Sequence, residues 1–356
     1  MSEPEDFVYG LTVSPGFARD GICFAARRSG LYRSDDGGTT WRSMYGSLDL
    51  QAPLATTAVA VAPDFETSQY VIAGTQGGVL RSVDGGENWH IAMFPSPPPL
   101  VSSLVLSPNF AQDGTVLAGT MEDGVFRSAD RGTNWSRWNF GLLDLNVLCM
   151  AISPRYAADE TLYVGTESGI FGSTNGGRAW REIDFPIDLA PVISMALSPA
   201  NGGDILVVGT EAYGLFYSEG WALSGGGSKT RFLPRGNGRN AANGRNAANG
   251  RNAANVEHHS PPATRHPPLT WTRLGLDTAE EAVNHIVLSP EYPARPEMLV
   301  ALGERLLVSR DGGQSWADWK DGVLVEQGIS VVVAPWGLGA GEPLLVGTME
   351  GQVLKI

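Results

Sequence analysis

The stretch SDDGGTTW at residues 34–41 decides the fold, because four close variants of it recur later in the chain. The variants are SVDGGENW (82–89), SADRGTNW (128–135), STNGGRAW (173–180) and SRDGGQSW (309–316). An Asp or Asn side chain accepts backbone amide hydrogen bonds in a tight turn, and glycine tolerates a positive φ there. Each copy therefore predicts a hairpin turn whose tryptophan opens the next strand and packs between layers.

A longer repeat surrounds each copy of this turn. Its first strand is an apolar segment stopped by proline, and seven such segments occur: LTVSP (11–15), VAVAP (59–63), LVLSP (104–108), MAISP (150–154), MALSP (195–199), IVLSP (286–290) and VVVAP (331–335). A second strand follows and usually ends in Gly-Thr, as in VIAGT (71–75) and LLVGT (344–348). With the two strands that flank the turn, each unit has four strands at a period of roughly 45 residues, which is typical of a propeller blade.

These units predict an all-β fold, a seven-bladed β-propeller of four-stranded blades. The 45 Gly, 23 Pro and 10 Trp suit many short strands joined by turns. The seventh unit stops after three strands at QVLKI (352–356), so its blade either has three strands or receives a short edge from the N-terminal segment. A six-bladed ring with an appended hairpin is the alternative.

One insertion interrupts the repeat. The spacing of equivalent serines is 45 residues from Ser173 to Ser218 but 91 residues from Ser218 to Ser309. Residues 222–268 contain GRNAAN three times in tandem and lack an apolar strand pattern. Such a segment buries too little apolar surface to offset its ordering entropy. We therefore predict a disordered low-complexity insertion in the fifth blade, with a single propeller domain formed by residues 1–221 and 269–356.

Charge and composition narrow the classes of partner. The net charge of −13 is uneven, since residues 224–268 carry +6 and the rest of the chain −19. An acidic body repels phosphate backbones and anionic headgroups, so we predict no nucleic-acid partner and no membrane insertion. The N-terminus lacks a signal-peptide pattern, which predicts a cytoplasmic protein, or a secreted one if a leader was removed. We also predict a monomer.

The sequence predicts neither a metal site nor a disulfide. His258, His259 and His266 lie in the insertion without a cysteine or a carboxylate cluster nearby, and we predict no metal site and no cofactor. Cys23 and Cys149 each lie within an apolar strand, which predicts buried free thiols rather than a disulfide.

Candidate binding residues come from the geometry of a propeller. The turns between second and third strands share one face with the connections between blades, while the Ser-x-Asp turns lie on the other face. The turns and connections of the first face supply an acidic ring broken by an arginine pair, together with one tryptophan: Arg27, Arg28, Glu122, Asp123, Glu167, Glu211, Glu304, Glu350 and Trp138. We predict that a ligand binds there.

The repeat resembles the BNR or Asp-box repeat of sialidases, certain xyloglucanases, the sortilin-type receptor domain and the photosystem II assembly factor family. The resemblance covers nearly the whole chain and implies a propeller in which the Asp-box lies away from the ligand face. It therefore implies a structural role for the residues at the third position of the five turns, which are Asp36, Asp84, Asp130, Asn175 and Asp311.

The chain departs from the hydrolases among these families. It lacks the Arg-Ile-Pro segment that sialidases place in the first blade, and it has AARRSG (25–30) where xyloglucanases of this type carry an acid within a segment like ARTDVGG. We therefore predict a non-catalytic binding or assembly scaffold for a protein or peptide, with a carbohydrate as a second ligand class. In this hypothesis Arg27 and Arg28 clamp a carboxylate of the partner. The alternative is a glycoside hydrolase in which a carboxylate pair such as Glu122 and Glu167 acts as acid and base.

Overall fold

The computed structural model describes residues 6–95, 97–200, 203–221, 270–276, 281–319 and 327–356. In this part of the chain the strands form seven separate antiparallel sheets, six with four strands and one with three. The first strand of each sheet packs beside the first strand of the next, and the first strand of sheet one packs beside that of sheet seven. The seven-bladed prediction is confirmed, and the six-bladed alternative is wrong.

The strands occupy equivalent positions in every blade. The first strands are Val8–Val13, Thr56–Val61, Val101–Leu106, Val147–Ile152, Val192–Ala200, Val283–Leu288 and Ile329–Val333. The second strands are Cys23–Arg27, Val71–Thr75, Val116–Thr120, Leu162–Thr166, Gly203–Thr210, Met298–Leu302 and Leu345–Thr348. The third strands are Gly30–Ser34, Gly78–Ser82, Gly124–Ser128, Ile170–Ser173, Leu215–Trp221, Arg305–Ser309 and Val353–Lys355. The fourth strands are Arg42–Ser43, His90–Met93, Ser136–Arg137, Arg181–Ile183, Thr270–Leu274 and Ala317–Asp318.

Four single-turn helices join the first and second strands of blades one to four, which the strand pattern did not predict. They are Phe17–Asp20, Phe65–Ser68, Phe110–Asp113 and Tyr156–Asp159. Each begins with a buried aromatic residue. Phe65, for example, lies edge-on to Phe24 of the preceding blade at 5.9 Å between ring centroids. The helical turn thus places an aromatic ring in the space between adjacent blades.

The core lies between the blades. Each second strand is covered by a neighbouring blade on both sides, and all five residues of Val71–Thr75 and of Val116–Thr120 are buried. This two-sided burial explains why these strands are continuous apolar runs rather than alternating ones. Between blades two and three, the rings of Phe94 and Phe126 stack at 4.3 Å between centroids.

The five Ser-x-Asp turns, which we call the Ser-Asp turns, share a set of hydrogen bonds, and the four turns with an aspartate add a bond from the side chain four residues later. In the first, the hydroxyl of Ser34 donates to Asp36 Oδ1 at 2.8 Å and accepts the amide of Gly38 at 2.9 Å. Asp36 Oδ1 also accepts the amide of Thr40, and Asp36 Oδ2 accepts the Thr40 hydroxyl at 2.6 Å. These internal bonds close the hairpin between the third and fourth strands, as the sequence predicted.

The turn of blade four differs at two positions together. Asn175 replaces the aspartate, and Ala179 stands where the other turns have Thr40, Asn88, Asn134 or Ser315. Asn175 Oδ1 accepts the Ala179 amide at 2.9 Å, which preserves the backbone bond. An asparagine has a donor in place of the second carboxylate oxygen, so a side-chain donor at position 179 would have no acceptor there. The two exchanges compensate one another.

A bulge near the start of each first strand turns a side chain toward the next blade. In six of the seven blades a side chain at the bulge bonds to the carbonyl that begins the next first strand, and these donors are Thr57, Ser102, Cys149, Ser194, Asn284 and Ser330. The bond of Ser330 reaches Val8 and so joins blade seven to blade one. In blade one the two equivalent positions are held by Tyr9, whose side chain makes no such bond among the described residues, and by Gly10, which has no side chain to donate.

Blade seven has three strands within the described residues. The N-terminal segment passes over its second turn, where a Cβ at Gly351 would overlap the Asp6 carbonyl. Both cysteines are free, as predicted, and burial raises the pKa of each thiol to about 12. The strands Leu215–Trp221 and Thr270–Leu274 pair directly, and the predicted insertion between them lies outside the described residues.

Candidate functional site

The loops of the propeller divide between two faces, and backbone hydrogen bonds define them. On one face the Ser-Asp turns meet the helical turns, as when Gly85 donates to the Gln69 carbonyl at 2.9 Å. On the other, the turns between second and third strands meet the connections between blades, as when Gly77 donates to the Pro99 carbonyl at 2.8 Å. We call these the Ser-Asp face and the connection face.

Five consecutive blades, three to seven, each place an exposed glutamate on the connection face. These residues are Glu122, Glu167, Glu211, Glu304 and Glu350. Among the described residues no lysine, arginine or histidine forms an ion pair with any of them. Blade two has Gln76 at this turn, and blade one has the exposed Arg28. The acidic ring predicted from the sequence therefore has its side chains available to solvent.

Asn146 joins two of these turns. Its Oδ1 accepts the backbone amide of Glu122 at 2.9 Å, and its Nδ2 donates to Glu167 Oε2 at 3.0 Å. Glu122 has a φ of 72°, a left-handed conformation that is unfavourable for a residue with a side chain. The bond from Asn146 holds that conformation, so the turns of blades three and four are positioned together.

Asp123 and Asp144 are acidic residues with internal partners. Asp123 pairs with Arg137 of the same blade at 2.5 Å. Asp144 accepts the amide and the hydroxyl of Ser168, at 2.9 and 2.7 Å. Burial alone would raise the pKa of Asp144, but hydrogen bonds, led by the amide of Asn146, outweigh it and lower the pKa. These two carboxylates hold loops in place and are less available to a ligand than the five glutamates.

The two arginines of blade one, Arg27 and Arg28, differ in exposure. The Arg27 side chain is only 14% exposed, lies over the ring of Tyr32 at 4.8 Å and that of Trp41 at 5.6 Å, and approaches Asp6 at 3.9 Å. Burial lowers its pKa, although Asp6 acts in the opposite direction. Arg28 is exposed. The structure thus leaves Arg28 at the surface and packs Arg27 among aromatic rings.

Trp138 packs between two blades. Its indole lies between the side chains of Arg127 and Arg178, at 4.5 and 5.3 Å from the ring centroid, and its carbonyl accepts the indole N–H of Trp180 at 2.6 Å. Arg178 and Trp180 belong to the Ser-Asp turn of blade four. Trp138 therefore packs blade three against blade four.

The connection face also has features that the sequence analysis missed. An open cleft of about 400 Å³ lies beside blade one, between Ser29 and the connection Tyr45–Leu54. The residues of the described chain that line it include no carboxylate and no imidazole. Tyr9 and Tyr213 are partly exposed, and Tyr9 lies 4.8 Å from Phe7 between ring centroids. Isolated tyrosines in strand or turn positions give no sequence signal, because most such rings pack inward.

Two further observations concern ions and membranes. Within the described ranges, no group of three or more His, Cys, Asp or Glu side chains could hold a metal ion. The histidines of the insertion lie outside those ranges. No helix in the described part of the chain is long and apolar enough to cross a membrane. The cytoplasmic location and the monomeric state remain predictions.

Comparison with known proteins shows that several solved structures share this fold. Residues across the whole chain align with YCF48 bound to D1 peptide, at a TM-score of 0.64 and 15% identity, covering 95% of that chain. The GH74 xyloglucanase from Xanthomonas campestris aligns over 98% of this chain at a TM-score of 0.65 and 17% identity. The extracellular domain of BT4673 from B. thetaiotaomicron aligns over 99% of it at a TM-score of 0.64 and 13% identity.

These similarities concern the fold. The chain spans 51% of the GH74 enzyme and 38% of the BT4673 domain. No profile of a known protein family matches the sequence. No curated protein matches it either.

Proposed function

We propose that the protein is a non-catalytic scaffold that binds a basic peptide segment of a partner protein on its connection face. The observation that carries this proposal is the row of exposed glutamates on five consecutive blades, none of which has an ion-pair partner among the described residues. Charges of one sign on a broad concave face raise the local concentration of oppositely charged ligands and speed their association.

The comparison with YCF48 supports a peptide as the ligand. That protein is described as bound to D1 peptide, and this chain shares its fold over 95% of the YCF48 chain. A ring of rigid blades offers many separate turns to an extended chain, so several weak contacts can add up. We also propose that the five Ser-Asp turns are Asp-box repeats, with a structural role on the opposite face.

The arginine part of the hypothesis rests on Arg28. Arg27 is engaged by Tyr32, Trp41 and Asp6, whereas Arg28 is exposed beside the glutamate ring. In this proposal Arg28 contacts an acidic group or a carbonyl of the peptide. The replacement Arg28→Ala weakens binding, and Arg27→Ala acts mainly on stability.

The experiment compares two variants of equal charge change. The first carries Glu→Gln at Glu167, Glu211, Glu304 and Glu350 on the connection face. The second carries Glu→Gln at Glu66, Glu87, Glu160 and Glu291 on the Ser-Asp face. The probe is a fluorescein-labelled, lysine- and arginine-rich decapeptide, followed by fluorescence anisotropy at several salt concentrations.

We expect the first variant to bind the probe about tenfold more weakly, which corresponds to about 1.4 kcal/mol. The second variant should stay within about twofold of the native protein, with the same salt dependence. Equal loss in both variants would mean that net charge, rather than the connection face, attracts the probe. Binding that is unchanged in the first variant would contradict the proposal.

A glycoside hydrolase is the second candidate, because Asn146 brings the turns of Glu122 and Glu167 together. A carboxylate pair about 5 to 9 Å apart is the arrangement that glycosidases use. A screen against plant and bacterial polysaccharides tests this function. Activity that Glu122→Gln or Glu167→Gln abolishes would favour the hydrolase over the scaffold.

A further inference from the structure

Large apolar side chains are exposed mainly in one set of loops. Nine such side chains are exposed among the described residues, and five of them lie in connections between blades or in a turn between second and third strands: Leu50, Phe140, Leu143, Leu189 and Tyr213. Single exposed apolar residues are common on soluble proteins. Their concentration in the loops of the connection face is typical of an interaction surface.

The most exposed of these residues belong to the two connections that flank blade four. Leu143 and Leu189 are each 77% exposed, and Phe140 is 80% exposed. Leu143 lies in the connection that enters blade four, and Leu189 lies in the connection that leaves it. Phe140 shares the connection of Leu143 but lies beside the start of the fourth strand of blade four, since its carbonyl accepts the amide of Trp180 at 2.8 Å. The two leucines are therefore the residues to compare with the glutamate turns.

The neighbours of Leu143 bond to the Glu167 turn. The carboxylate of Asp144, the next residue, accepts the amide and the hydroxyl of Ser168, at 2.9 and 2.7 Å. Asn146 donates to Glu167 Oε2 at 3.0 Å. An exposed apolar side chain and an exposed carboxylate therefore lie in adjoining loops.

The connection of Leu189 is bonded to the Glu211 turn of blade five. The amide of Glu211 donates at 3.1 Å to the carbonyl of Pro191, which lies two residues after Leu189. The same turn exposes Tyr213. Around blades four and five, apolar and acidic side chains therefore alternate in chain order: Leu143, Glu167, Leu189, Glu211 and Tyr213.

The backbone of Leu189 is also unfavourable in the free protein. Its φ is 54°, a left-handed conformation that glycine or asparagine adopts at lower cost than leucine. Exposure of the apolar side chain to water is a second unfavourable feature. Backbone conformations of this kind cluster at functional sites, where a contact with a ligand makes use of them. A ligand that covers the Leu189 side chain accounts for both features.

The Ser-Asp face lacks this combination of groups. Its glutamates pair with arginines, as Glu87 does with Arg42 at 2.6 Å and Glu160 with Arg178 at 3.2 Å. Among the described residues, its five turns expose one large apolar side chain, that of Val83. Unpaired carboxylates beside exposed leucines are thus a property of the connection face.

We propose that the peptide bound by the connection face carries large apolar side chains between its basic residues, and that Leu143, Leu189 and Tyr213 contact these side chains. Apolar recognition rests on the peptide-binding function proposed above and names the chemistry of the ligand. Lysine and arginine complement the charge of the glutamates, while the apolar residues between them bury surface against the two leucines. An uncharged ligand would gain nothing from the glutamates, and a purely basic one would leave the leucines exposed.

Two labelled decapeptides of equal charge test the proposal. One has the sequence GKLRKLRKLG, and the other, GKSRKSRKSG, has serine in place of each leucine. Binding is measured by fluorescence anisotropy. We expect the leucine peptide to bind the native protein at least about fivefold more tightly than the serine peptide, because burial of apolar surface adds to the attraction between charges.

The protein variants compare the two leucines with apolar residues elsewhere. The first variant combines Leu143→Ser with Leu189→Ser. The matched control combines Val83→Ser with Ile91→Ser, whose side chains are also more than half exposed but lie in a Ser-Asp turn and in the fourth strand of blade two. We expect the first variant to bind the leucine peptide at least about fivefold more weakly and the serine peptide normally. The control should bind both peptides as the native protein does.

The substitution Leu189→Gly separates binding from folding. Glycine adopts a φ of 54° without a steric cost, so the urea midpoint of this variant should not fall below that of the native protein. Its affinity for the leucine peptide should nevertheless fall by at least about twofold. A lower midpoint with unchanged binding would give Leu189 a structural role and would contradict the proposal.

The outcomes distinguish apolar recognition from the charge-based function. The glutamate variant of the connection face should weaken the binding of both peptides. If it did so while the two peptides bound the native protein equally, apolar recognition would be wrong and the charge-based function would stand. Equal loss in the Val83 and Ile91 control would mean non-specific apolar adhesion and would also overturn the proposal. Absence of binding by both peptides at about 1 mM protein would contradict the peptide-binding function as well.

Discussion

The hydroxyl of Ser330 donates a 2.7 Å hydrogen bond to the carbonyl oxygen of Val8, which lies 322 residues earlier in the chain. The bond joins the first strand of blade seven to that of blade one and so closes the ring. Equivalent bonds join five other pairs of neighbouring blades, from Thr57, Ser102, Cys149, Ser194 and Asn284. A repeated side-chain contact near the centre of the ring therefore links one blade to the next.

Replacement of Ser330 should weaken ring closure. We expect Ser330→Ala to lower the free energy of unfolding by about 1 kcal/mol, because the mutation removes a hydrogen bond and leaves the Val8 carbonyl without it. Urea denaturation measures the change. Ser103→Ala is the control, since Ser103 is also half-buried on a first strand but makes no such bond. Equal effects of the two mutations would contradict a specific role for Ser330.

Acid should destabilise the protein through its Ser-Asp turns. Hydrogen bonds from the hydroxyl of Thr40, its amide and Ser34 lower the pKa of Asp36 to about 2, and bonds led by Ser315 lower that of Asp311 to about 2. A carboxyl whose folded-state pKa lies below its unfolded value contributes stability above the unfolded value, here 3.8, and loses it as the pH falls through about 2. We expect the urea midpoint to fall between pH 4 and pH 2, and the double variant Asp36→Asn with Asp311→Asn to lose part of that dependence. If the double variant kept the pH profile of the native protein, Asp36 and Asp311 would not be the source of the acid destabilisation.

Asn175 and Ala179 should show energetic coupling. In the other four turns an aspartate accepts a bond from the side chain four residues later, as between Asp36 and Thr40 at 2.6 Å. We expect Ala179→Thr to stabilise the Asn175→Asp protein more than the native one, by about 0.5 to 1 kcal/mol. A double-mutant cycle measured by thermal or urea denaturation gives this difference. Additive effects would mean that the two exchanges are unrelated.

The pair of Arg155 and Asp204 should matter more than a typical surface pair. It joins blades four and five at 2.7 Å, and the Asp204 side chain is only 3% exposed. Burial raises the pKa of this carboxyl, although Arg155 acts in the opposite direction. We expect Arg155→Gln to destabilise the protein at pH 7 by about 1 to 3 kcal/mol, because a buried carboxylate then lacks its partner.

The same mutation should cost less in mild acid. Once Asp204 is protonated it no longer needs a positive partner, so the effect of Arg155→Gln should shrink as the pH falls toward the raised pKa of that carboxyl. Arg178→Gln is the control, because its partner Glu160 is half exposed and such pairs contribute about 0 to 1 kcal/mol. If both mutations had the same small effect at pH 7, burial of Asp204 would have no energetic consequence.

The candidate site was only partly predictable. The exposed glutamates follow from their place in turns between short strands, where side chains face solvent. The different environments of Arg27 and Arg28 do not follow from the sequence, because the two arginines are adjacent in the chain. Arg27 ends a strand and points toward Tyr32 and Trp41, whereas Arg28 begins the turn. The packing of the Trp138 ring against Arg178 of the next blade does not follow from the sequence either, because it depends on a contact between blades.

The sequence by itself determined the number of blades, their strand order and the chemistry of the Ser-Asp turns. These features repeat every 45 residues or so and depend on local hydrogen bonds, such as that between Ser34 and Asp36. The tertiary structure alone decided how the ring closes, through Ser330 and Val8, and which polar side chains remain free. Contacts between blades join residues far apart in the chain, and no local pattern records which of two similar neighbours will find a partner there.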